Sequence, residues 1–260
     1  MNSQEIIKKI EEEWAPKYAE EWDNVGLLVG AANKEINHIL VALDVTDDVV
    51  AQAIEMKADM IISHHPVIFK AMQRVTDEDF IGKRIITLIK NDISCYAAHT
   101  NFDVRAMGHL NADSLELTDV KVLQVTTDEE IPQGIGCVGK IKEPSSLKDF
   151  AKYVKQQLAL DDIHIFGDAK KKIETVAFSS GGVNASIIAD AISAGADVLI
   201  TGDVSHNKGL DAVSAGMAII DAGHYGTEYV FMPFVQDILS EIFPMVKISV
   251  AEESVPFWTV

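Results

Sequence analysis

The stretch Asp59-Met60-Ile61-Ile62-Ser63-His64-His65-Pro66 decides the fold, because a short apolar run in it ends in two adjacent histidines. A run of this length and composition predicts a buried β-strand. Upstream, residues 39–44 form another apolar run, and residues 47–57 have the spacing of an amphipathic helix. Strand, helix and strand in this order predict parallel strands joined by a crossover helix. The sequence therefore predicts an α/β fold.

A second copy of this pattern follows in the other half of the chain. Residues 175–179 predict a strand, residues 184–194 a helix, and residues 197–201 a short strand that ends at Gly202-Asp203. The dipeptide Ala58-Asp59 aligns with Ala196-Asp197 at an offset of 138 residues (197 − 59). Matching elements in the same order favour an internal repeat over chance similarity.

A third strand in each half ends in the same type of motif. The run at residues 93–98 is followed by His99 and then Asp103, and the run at residues 217–222 is followed by His224 and then Glu228. We therefore expect two related α/β halves with mainly parallel sheets and a metal site at the interface between them. The predicted division is 1–125 and 126–260.

The segment at residues 134–166 connects the two repeats. It predicts a strand at 134–141, a helix at 147–158 and a strand at 163–166, which we assign to the second half as an added β-α-β segment. Its glycines do not follow the order G-x-G-x-x-G and do not begin a helix, so a dinucleotide site is not expected.

Composition and charge restrict the class of protein. The chain has 260 residues, 48% of them hydrophobic, and a formal net charge of −18. Such acidity argues against nucleic acid or an anionic membrane as a partner. The first 14 residues predict an amphipathic helix rather than an export signal, and no apolar run reaches the roughly 18 residues of a membrane span. Cys95 and Cys137 have no paired spacing, which favours buried free thiols and a cytoplasmic location.

Candidate metal ligands lie where the predicted strands end. In parallel sheets, ligands bind beyond the carboxyl ends of the strands, because loops and helix N-termini converge there. The side chains placed at strand ends are His64, His65, His99, Asp203 and His224. Pro66 favours extended backbone at His65, so the side chains of His64 and His65 diverge and could serve two different ions. One turn of helix would bring Asp103 or Glu228 back beside the histidine four residues earlier.

Several polar residues admit two interpretations. His99 is either a ligand or a proton carrier beside the ligands, and we assign it to catalysis. Asp203 and His206 either support the site or belong to a solvated loop. The turn Ser180-Gly181-Gly182 could hold an anion, although a plain tight turn is favoured. The lone histidines are expected to be hydrogen-bonded core residues rather than ligands; they are His38, His109 and His164.

The predicted ligands indicate the type of metal. The favoured ligands are the imidazoles of His64, His65 and His224 and the carboxylates of Asp103 and Glu228. This set has no thiolate and suits two divalent ions such as Zn²⁺, Fe²⁺, Mn²⁺, Co²⁺ or Ni²⁺. Five side chains leave open positions, with Glu228 as the expected bridge between the ions. Two such ions lie about 3.5–4 Å apart and activate water near neutral pH, which favours hydrolysis.

The combination of motifs resembles the Nif-three-like family, whose members are often named GTP cyclohydrolase I type 2 homologues. The segments that carry the resemblance are Trp22–Gly30, Ser63–Pro66, Ala98–Asp103, Thr201–Asp203 and Asp221–Glu228. The resemblance implies two α/β domains with a dinuclear metal site between them and a ring-shaped homo-oligomer, commonly a hexamer. It also implies the ligand set His64, His65, Asp103, His224 and Glu228. The family carries a Tyr-His pair after its Thr-Gly-Asp, whereas this chain has His206-Asn207.

Two functions fit these features. One is a metal-dependent hydrolase of a small molecule, such as a nucleotide or a pterin precursor, with His99 moving protons. The other is a non-enzymatic regulatory or protein-interaction factor that binds metal. A fold-level resemblance does not choose a substrate.

Overall fold

The computed structural model describes residues 1–253 and 255–259. The strands in chain order are β1 (Gly26–Val29), β2 (His38–Ala42), β3 (Met60–Ser63), β4 (Ser94–Ala97), β5 (Thr118–Val125), β6 (Gly134–Ser146), β7 (His164–Phe166), β8 (Lys172–Gly182), β9 (Val198–Gly202), β10 (Ala218–Asp221) and β11 (Lys247–Val250).

The helices alternate with these strands. In chain order they are α1 (Ser3–Glu13), α2 (Asp47–Glu55), α3 (Phe80–Lys90), α4 (Thr100–Phe102), α5 (Gly108–Ser114), α6 (Leu147–Gln157), α7 (Ala185–Ser193), α8 (His206–Ser214), α9 (His224–Glu228) and α10 (Phe231–Ile242). A 3₁₀ turn covers Pro16–Tyr18, and a π-helical turn, Asp103–Met107, joins α4 to α5. No helix among the described residues is long and apolar enough to cross a lipid bilayer.

The contacts divide the chain into two units. The first contains Met1–Phe102 and Phe231–Pro256, and the second contains Asp103–Val230 and Phe257–Val260. This differs from the predicted division at residue 125 in two respects. Strand β5 pairs with β6 of the second sheet, and β11 returns to pair with β2 of the first. The unit to which a strand belongs therefore depends on its partners in the sheet rather than on its position along the chain.

The first unit is built on a five-stranded sheet with the order β1-β4-β3-β2-β11. Strands β2, β3, β4 and β11 are parallel, and β1 pairs antiparallel with β4. All residues of β2, β3 and β4 are buried, because helices cover a parallel sheet on both faces. One layer of the core includes Leu40 and Ile61, which pack with Val49 of α2 and Leu88 of α3.

The second unit is built on a six-stranded sheet with the order β5-β6-β8-β9-β10-β7. Strands β8, β9 and β10 are parallel, while β5, β6 and β7 add antiparallel pairs. Alternate residues of β9 enter opposite layers of the core: Val198 and Ile200 pack with α6, and Leu199 packs with α7. The predicted α/β class is confirmed, and five of the nine strand pairs in the described part of the chain are parallel.

The predicted repeat is present in the hydrogen bonding of both units. Asp59 Oδ2 accepts from the backbone N–H groups of Asn37 and His38 (2.7 and 3.0 Å). Asp197 Oδ2 accepts in the same way from the N–H groups of Glu174 and Thr175 (2.8 and 2.9 Å). Each aspartate thus precedes one parallel strand and bonds to the strand before it: Asp59 to the beginning of β2, and Asp197 to the third and fourth residues of β8. The segment at 134–166 belongs to the second sheet, as expected, but β6 and β7 lie apart in it because β7 pairs with β10.

Candidate metal centre

The first unit brings three imidazoles together. His64 and His65 follow the end of β3, and His99 follows the end of the neighbouring strand β4. Their ring centroids lie 5.1 to 5.5 Å apart, and one nitrogen from each ring falls within 4.8 Å of the others. The carboxyl ends of adjacent parallel strands therefore gather three nitrogen donors at one edge of the sheet.

The orientation of each of these rings is fixed through its Nδ1 atom. Nδ1 of His64 donates to the carbonyl oxygen of Ala98 (2.9 Å), and Nδ1 of His65 donates to Asp44 Oδ1 (3.0 Å). Because a carbonyl or carboxylate oxygen only accepts, the proton must be on Nδ1, which leaves the lone pair on Nε2. The Nε2 atom of His64 is buried, where a nitrogen lone pair suits a metal ion.

His99 is held by a buried carboxylate. Its Nδ1 donates to Asp23 Oδ1 (2.9 Å), and Asp23 Oδ2 accepts from the backbone N–H and the hydroxyl of Thr100 (3.0 and 2.5 Å). Burial alone would raise the pKa of Asp23, but the hydrogen bonds from His99 and Thr100 outweigh burial and hold that pKa at about 2. A permanent carboxylate behind an imidazole fixes its tautomer and the direction of its ring, as expected for a proton carrier or a ligand.

In the second unit, His224 and Glu228 form a pair of donors. They begin and end α9, so one helical turn brings Glu228 Oε2 to 3.2 Å from Nε2 of His224, as the sequence predicted. Glu228 is only 4% exposed. A buried carboxylate is costly unless a cation or several hydrogen-bond donors compensate it. The pair is thus suited to a divalent cation.

Gly181 leaves space for these two donors. A Cβ atom at this position would lie 2.5 Å from Oε1 of Glu228 and 3.3 Å from Nε2 of His224, and the backbone has a φ of +66°. The lack of space for a Cβ atom and the positive φ both require glycine at position 181. The N–H of Gly181 donates to Oγ1 of Thr227 (2.9 Å), so it holds α9 rather than an anion. Residues 180–182 are the end of strand β8, so the expected tight turn was wrong.

The loops that carry His224 are fixed by two aspartates. Nδ1 of His224 donates to Asp203 Oδ2 (2.7 Å), which leaves Nε2 as the donor atom toward a metal, as for the imidazoles of the first unit. Asp221 Oδ2 accepts from the N–H of Val204 (3.0 Å), and its Oδ1 accepts from the N–H of Gly223 (3.1 Å). Asp221 therefore ties the loop of Asp203 to the loop of His224.

Asp103 begins the π-helical turn that joins α4 to α5, and its Oδ1 atom is buried. Single π-helical turns occur often at functional sites, because they change the direction of a side chain within a continuous helix. The predicted ligand thus lies at an irregular position of the helix that follows His99, rather than at the start of a regular helix.

The residues present fit a divalent metal. The donor atoms described above are nitrogen or oxygen, as Zn²⁺, Mn²⁺, Fe²⁺, Co²⁺ and Ni²⁺ accept. The two thiols are inside apolar cores, where burial raises the pKa of Cys95 and that of Cys137 to about 12. Thiolate ligation by either cysteine is therefore not expected.

The structure shows where the other polar residues singled out in the sequence lie. His206 is exposed at the start of α8, whereas Asp203 contacts His224. His38 is a hydrogen-bonded core residue as predicted, since its ring contacts the carbonyl of Met56 and the hydroxyl of Ser249. His109 and His164 are exposed, so the expectation that they are core residues was wrong.

Three carboxylates that position the imidazoles were not assigned by sequence reasoning. They are Asp23, Asp44 and Asp221. Asp44 could have been found, because it closely follows β2, whose carboxyl end lies beside that of β3. Asp23 lies 76 residues from His99 along the chain, and nothing in its local sequence indicates that pairing.

The comparisons with known proteins agree with this architecture. Residues 1–256 match the family model Duf34/NIF3 (NGG1p interacting factor 3). Proteins named GTP cyclohydrolase 1 type 2 homolog are similar: one from Clostridium perfringens is 34% identical, with 88% of this chain and 87% of that protein covered. One from Lactococcus lactis is 35% identical, with 96% of each covered.

A solved structure has the same fold. It is the crystal structure of a Bacillus cereus protein related to NIF3. The two chains superpose with a TM-score of 0.94 and are 28% identical, and the match covers 100% of this chain and 99% of that one. Together with the match of the family model over nearly all of the sequence, this likeness leads to one assignment. The chain belongs to the Duf34/NIF3 family.

Proposed function

We propose that the chain binds two divalent metal ions and acts as a metal-dependent hydrolase on a small molecule. The proposed ligands are His64, His65, Asp103, His224 and Glu228, with Glu228 as the bridge. One observation carries the proposal: His64, His65, His99 and His224 are all fixed through Nδ1, so each presents Nε2 as a donor. Uniform ring orientation of this kind is typical of metal sites and has no evident use in a core that is held by packing.

The connectivity of the chain supports one centre that uses ligands from both units. The chain passes between the units at Phe102–Asp103, at Val230–Phe231 and again at Pro256–Phe257, and the first two crossings lie close in sequence to proposed ligands. Within the first unit, the ring of His64 lies 6.2 Å from the ring of Phe102 and 4.9 Å from that of Phe231. Consecutive Cα atoms are about 3.8 Å apart. Asp103 directly follows Phe102 and Glu228 is three residues before Phe231, so each proposed carboxylate is only a few residues along the chain from a ring that packs on His64.

The proposed chemistry divides between the metal and the protein. When bound, the ions supply Lewis acidity that makes water nucleophilic near neutral pH. The protein orients the donors through Ala98, Asp44 and Asp203, and His99 accepts or returns a proton while Asp23 holds its ring through Nδ1. Asp23 suits this role because its pKa of about 2 keeps it ionised at neutral pH.

Metal content and turnover test the proposal together. We expect about two equivalents of Zn²⁺ or a similar ion per chain by elemental analysis. The loaded protein would then be screened against nucleotides, phosphoesters and pterins, with GTP included because of the name that the relatives carry. His65→Ala should lose metal and turnover together, whereas His99→Ala should keep metal and lose turnover by about 100-fold or more. Retention of all turnover by metal-free His65→Ala would contradict the proposed mechanism.

A second function is favoured by the family description. It names an interacting factor of NGG1p, so at least one relative is known by a protein partner. On this alternative the chain is a metal-binding regulatory or protein-interaction factor without turnover. A specific partner captured equally by the natural protein and by His224→Ala, together with failure of the substrate screen, would favour it.

We also propose a homohexamer, which the family resemblance implies, and no role for nucleic acid, which the charge of −18 supports. Mass photometry at about micromolar concentration would give the subunit number. A shift of duplex DNA by this protein at physiological salt would contradict the second expectation.

A further inference from the structure

Two large aromatic side chains are exposed beside the imidazole cluster of the first unit. Trp22 is 59% exposed and Phe69 is 53% exposed. Their ring centroids lie 5.8 Å apart, and the ring of His99 lies 5.9 Å from Trp22 and 6.4 Å from Phe69. We call Trp22 and Phe69 the aromatic platform. An exposed Trp and Phe in contact with each other indicate a surface that binds something.

The backbone on either side of the aromatic platform is fixed. Asp23, which follows Trp22, is bonded to His99 and Thr100. The side-chain amide of Asn24 donates to the carbonyl oxygen of Ile68 (2.6 Å), the residue before Phe69. One set of hydrogen bonds therefore positions His99 and the backbone that carries both aromatic rings. A backbone that is held before binding loses little conformational entropy when a ligand arrives.

We propose that the aromatic platform binds a planar aromatic heterocycle of the substrate by stacking, and that it places the substituent to be hydrolysed beside His99. This inference rests on the proposed hydrolase function and specifies its substrate class. Aromatic faces bind planar rings without requiring a particular hydrogen-bonding pattern. The edge contacts of His99 with both platform rings put a proton carrier at the margin of the stacked ligand.

The size of the platform favours a small ring over a protein surface. Its immediate neighbours Glu21 and Lys70 are exposed and charged. A stable protein interface buries about 800 Å² on each partner and has an apolar centre depleted of charge. Two side chains bordered by charges do not supply such a centre, whereas they match the area of one bicyclic ring.

The test measures ring binding by zinc-loaded, full-length protein. Isothermal titration with guanosine and with pterin gives the dissociation constants, and ribose serves as the non-aromatic control. We expect Trp22→Leu and Phe69→Leu each to weaken binding of the aromatic probes by about tenfold. Trp22→Phe keeps a ring and should stay within about threefold of the natural protein. Trp258→Leu removes another exposed tryptophan and should have no effect.

The possible outcomes separate this inference from the proposed function. Unchanged affinity in both leucine variants, or no saturable binding of either aromatic probe by the natural protein up to about 5 mM, overturns the platform even if two metals are bound. A change in subunit number in Trp22→Leu also overturns it, because the surface is then a contact between copies. Absence of metal contradicts the proposed function alone. If Trp22→Leu fails to fold, Phe69→Leu and Trp22→Phe decide the result.

Discussion

Asp203 Oδ2 lies 2.7 Å from Nδ1 of His224, and Asp203 reaches this position with a backbone φ of 54°. The left-handed region is uncommon for residues other than glycine, although Asp and Asn tolerate it best. Such strain persists only where the surroundings impose it. Here the N–H of the next residue, Val204, is held by Asp221. The strained conformation thus serves to orient an imidazole.

Replacing Asp203 tests that role. Asp203→Asn keeps the shape and the tolerance for positive φ but loses the charge behind His224. We expect the metal affinity to fall by about 10- to 100-fold while the melting temperature of the metal-free protein changes little. Asp203→Ala should lose affinity and also about 1 kcal/mol of stability, because alanine is strained at this φ. Chelator competition measures affinity. Unaltered affinity in the asparagine variant would show that Asp203 only shapes the loop.

Glu228→Gln should act in opposite directions on the metal-free and the metal-loaded protein. Burial of a carboxylate costs more free energy of desolvation than burial of an amide of the same shape. The metal-free variant should therefore melt at the same temperature as the natural protein or higher. Added Zn²⁺ should raise the melting temperature of the natural protein but not of the variant, since only a bound ligand stabilises the native state. Equal zinc stabilisation of both proteins would rule out Glu228 as a ligand.

The two buried histidines of the first unit provide a matched pair. His64 is fully buried and His38 is 6% exposed, but only His64 has neighbours that could bind metal. His64→Asn should remove at least one metal equivalent, as measured by elemental analysis. His38→Asn should keep the metal and lower the free energy of unfolding by about 1–3 kcal/mol, because it breaks bonds to Met56 and Ser249. Loss of metal from both variants would mean that metal binding is sensitive to any change in the core of the first unit, and would contradict a specific role for His64.

Both cysteines should be unreactive in the folded protein. Burial raises the pKa of each thiol to about 12, so the reactive thiolate is scarce at pH 8 and its sulfur is also shielded. A thiol reagent should therefore titrate close to none of the thiols under native conditions and two per chain in denaturant. Rapid reaction of one thiol in the native protein would place Cys95 or Cys137 at an opening that the structure does not show.

The sequence predicted the elements that carry the site better than the contacts among them. An apolar run followed by a polar residue marks a strand end, and β3 and β9 were located from that signal alone. The pairing of residues 247–250 with residues 38–41 was not predicted, because a short terminal strand contains no information about its partner. The same holds for the carboxylates behind the imidazoles. A hydrogen bond between Asp23 and His99 depends on tertiary structure, and hydrophobic periodicity does not encode it.

The repeated aspartates give a final prediction, which tests whether the two halves are stabilised by the same contact. Asp59 and Asp197 each accept hydrogen bonds from two consecutive backbone N–H groups of the neighbouring parallel strand or of the residue that precedes it. Loss of either carboxylate leaves two donors without their charged acceptor, so Asp59→Ala and Asp197→Ala should each lower the free energy of unfolding by about 2–3 kcal/mol. Urea denaturation of the metal-free protein measures this loss. Exposed Asp119, paired only with Lys140 among the contacts described, provides the control. Asp119→Ala should cost about 1 kcal/mol, chiefly because alanine is strained at the positive φ of this position, and so less than either repeated position. If one of the two repeated positions tolerates alanine as well as Asp119 does, the halves share a fold but not the contact that joins their strands.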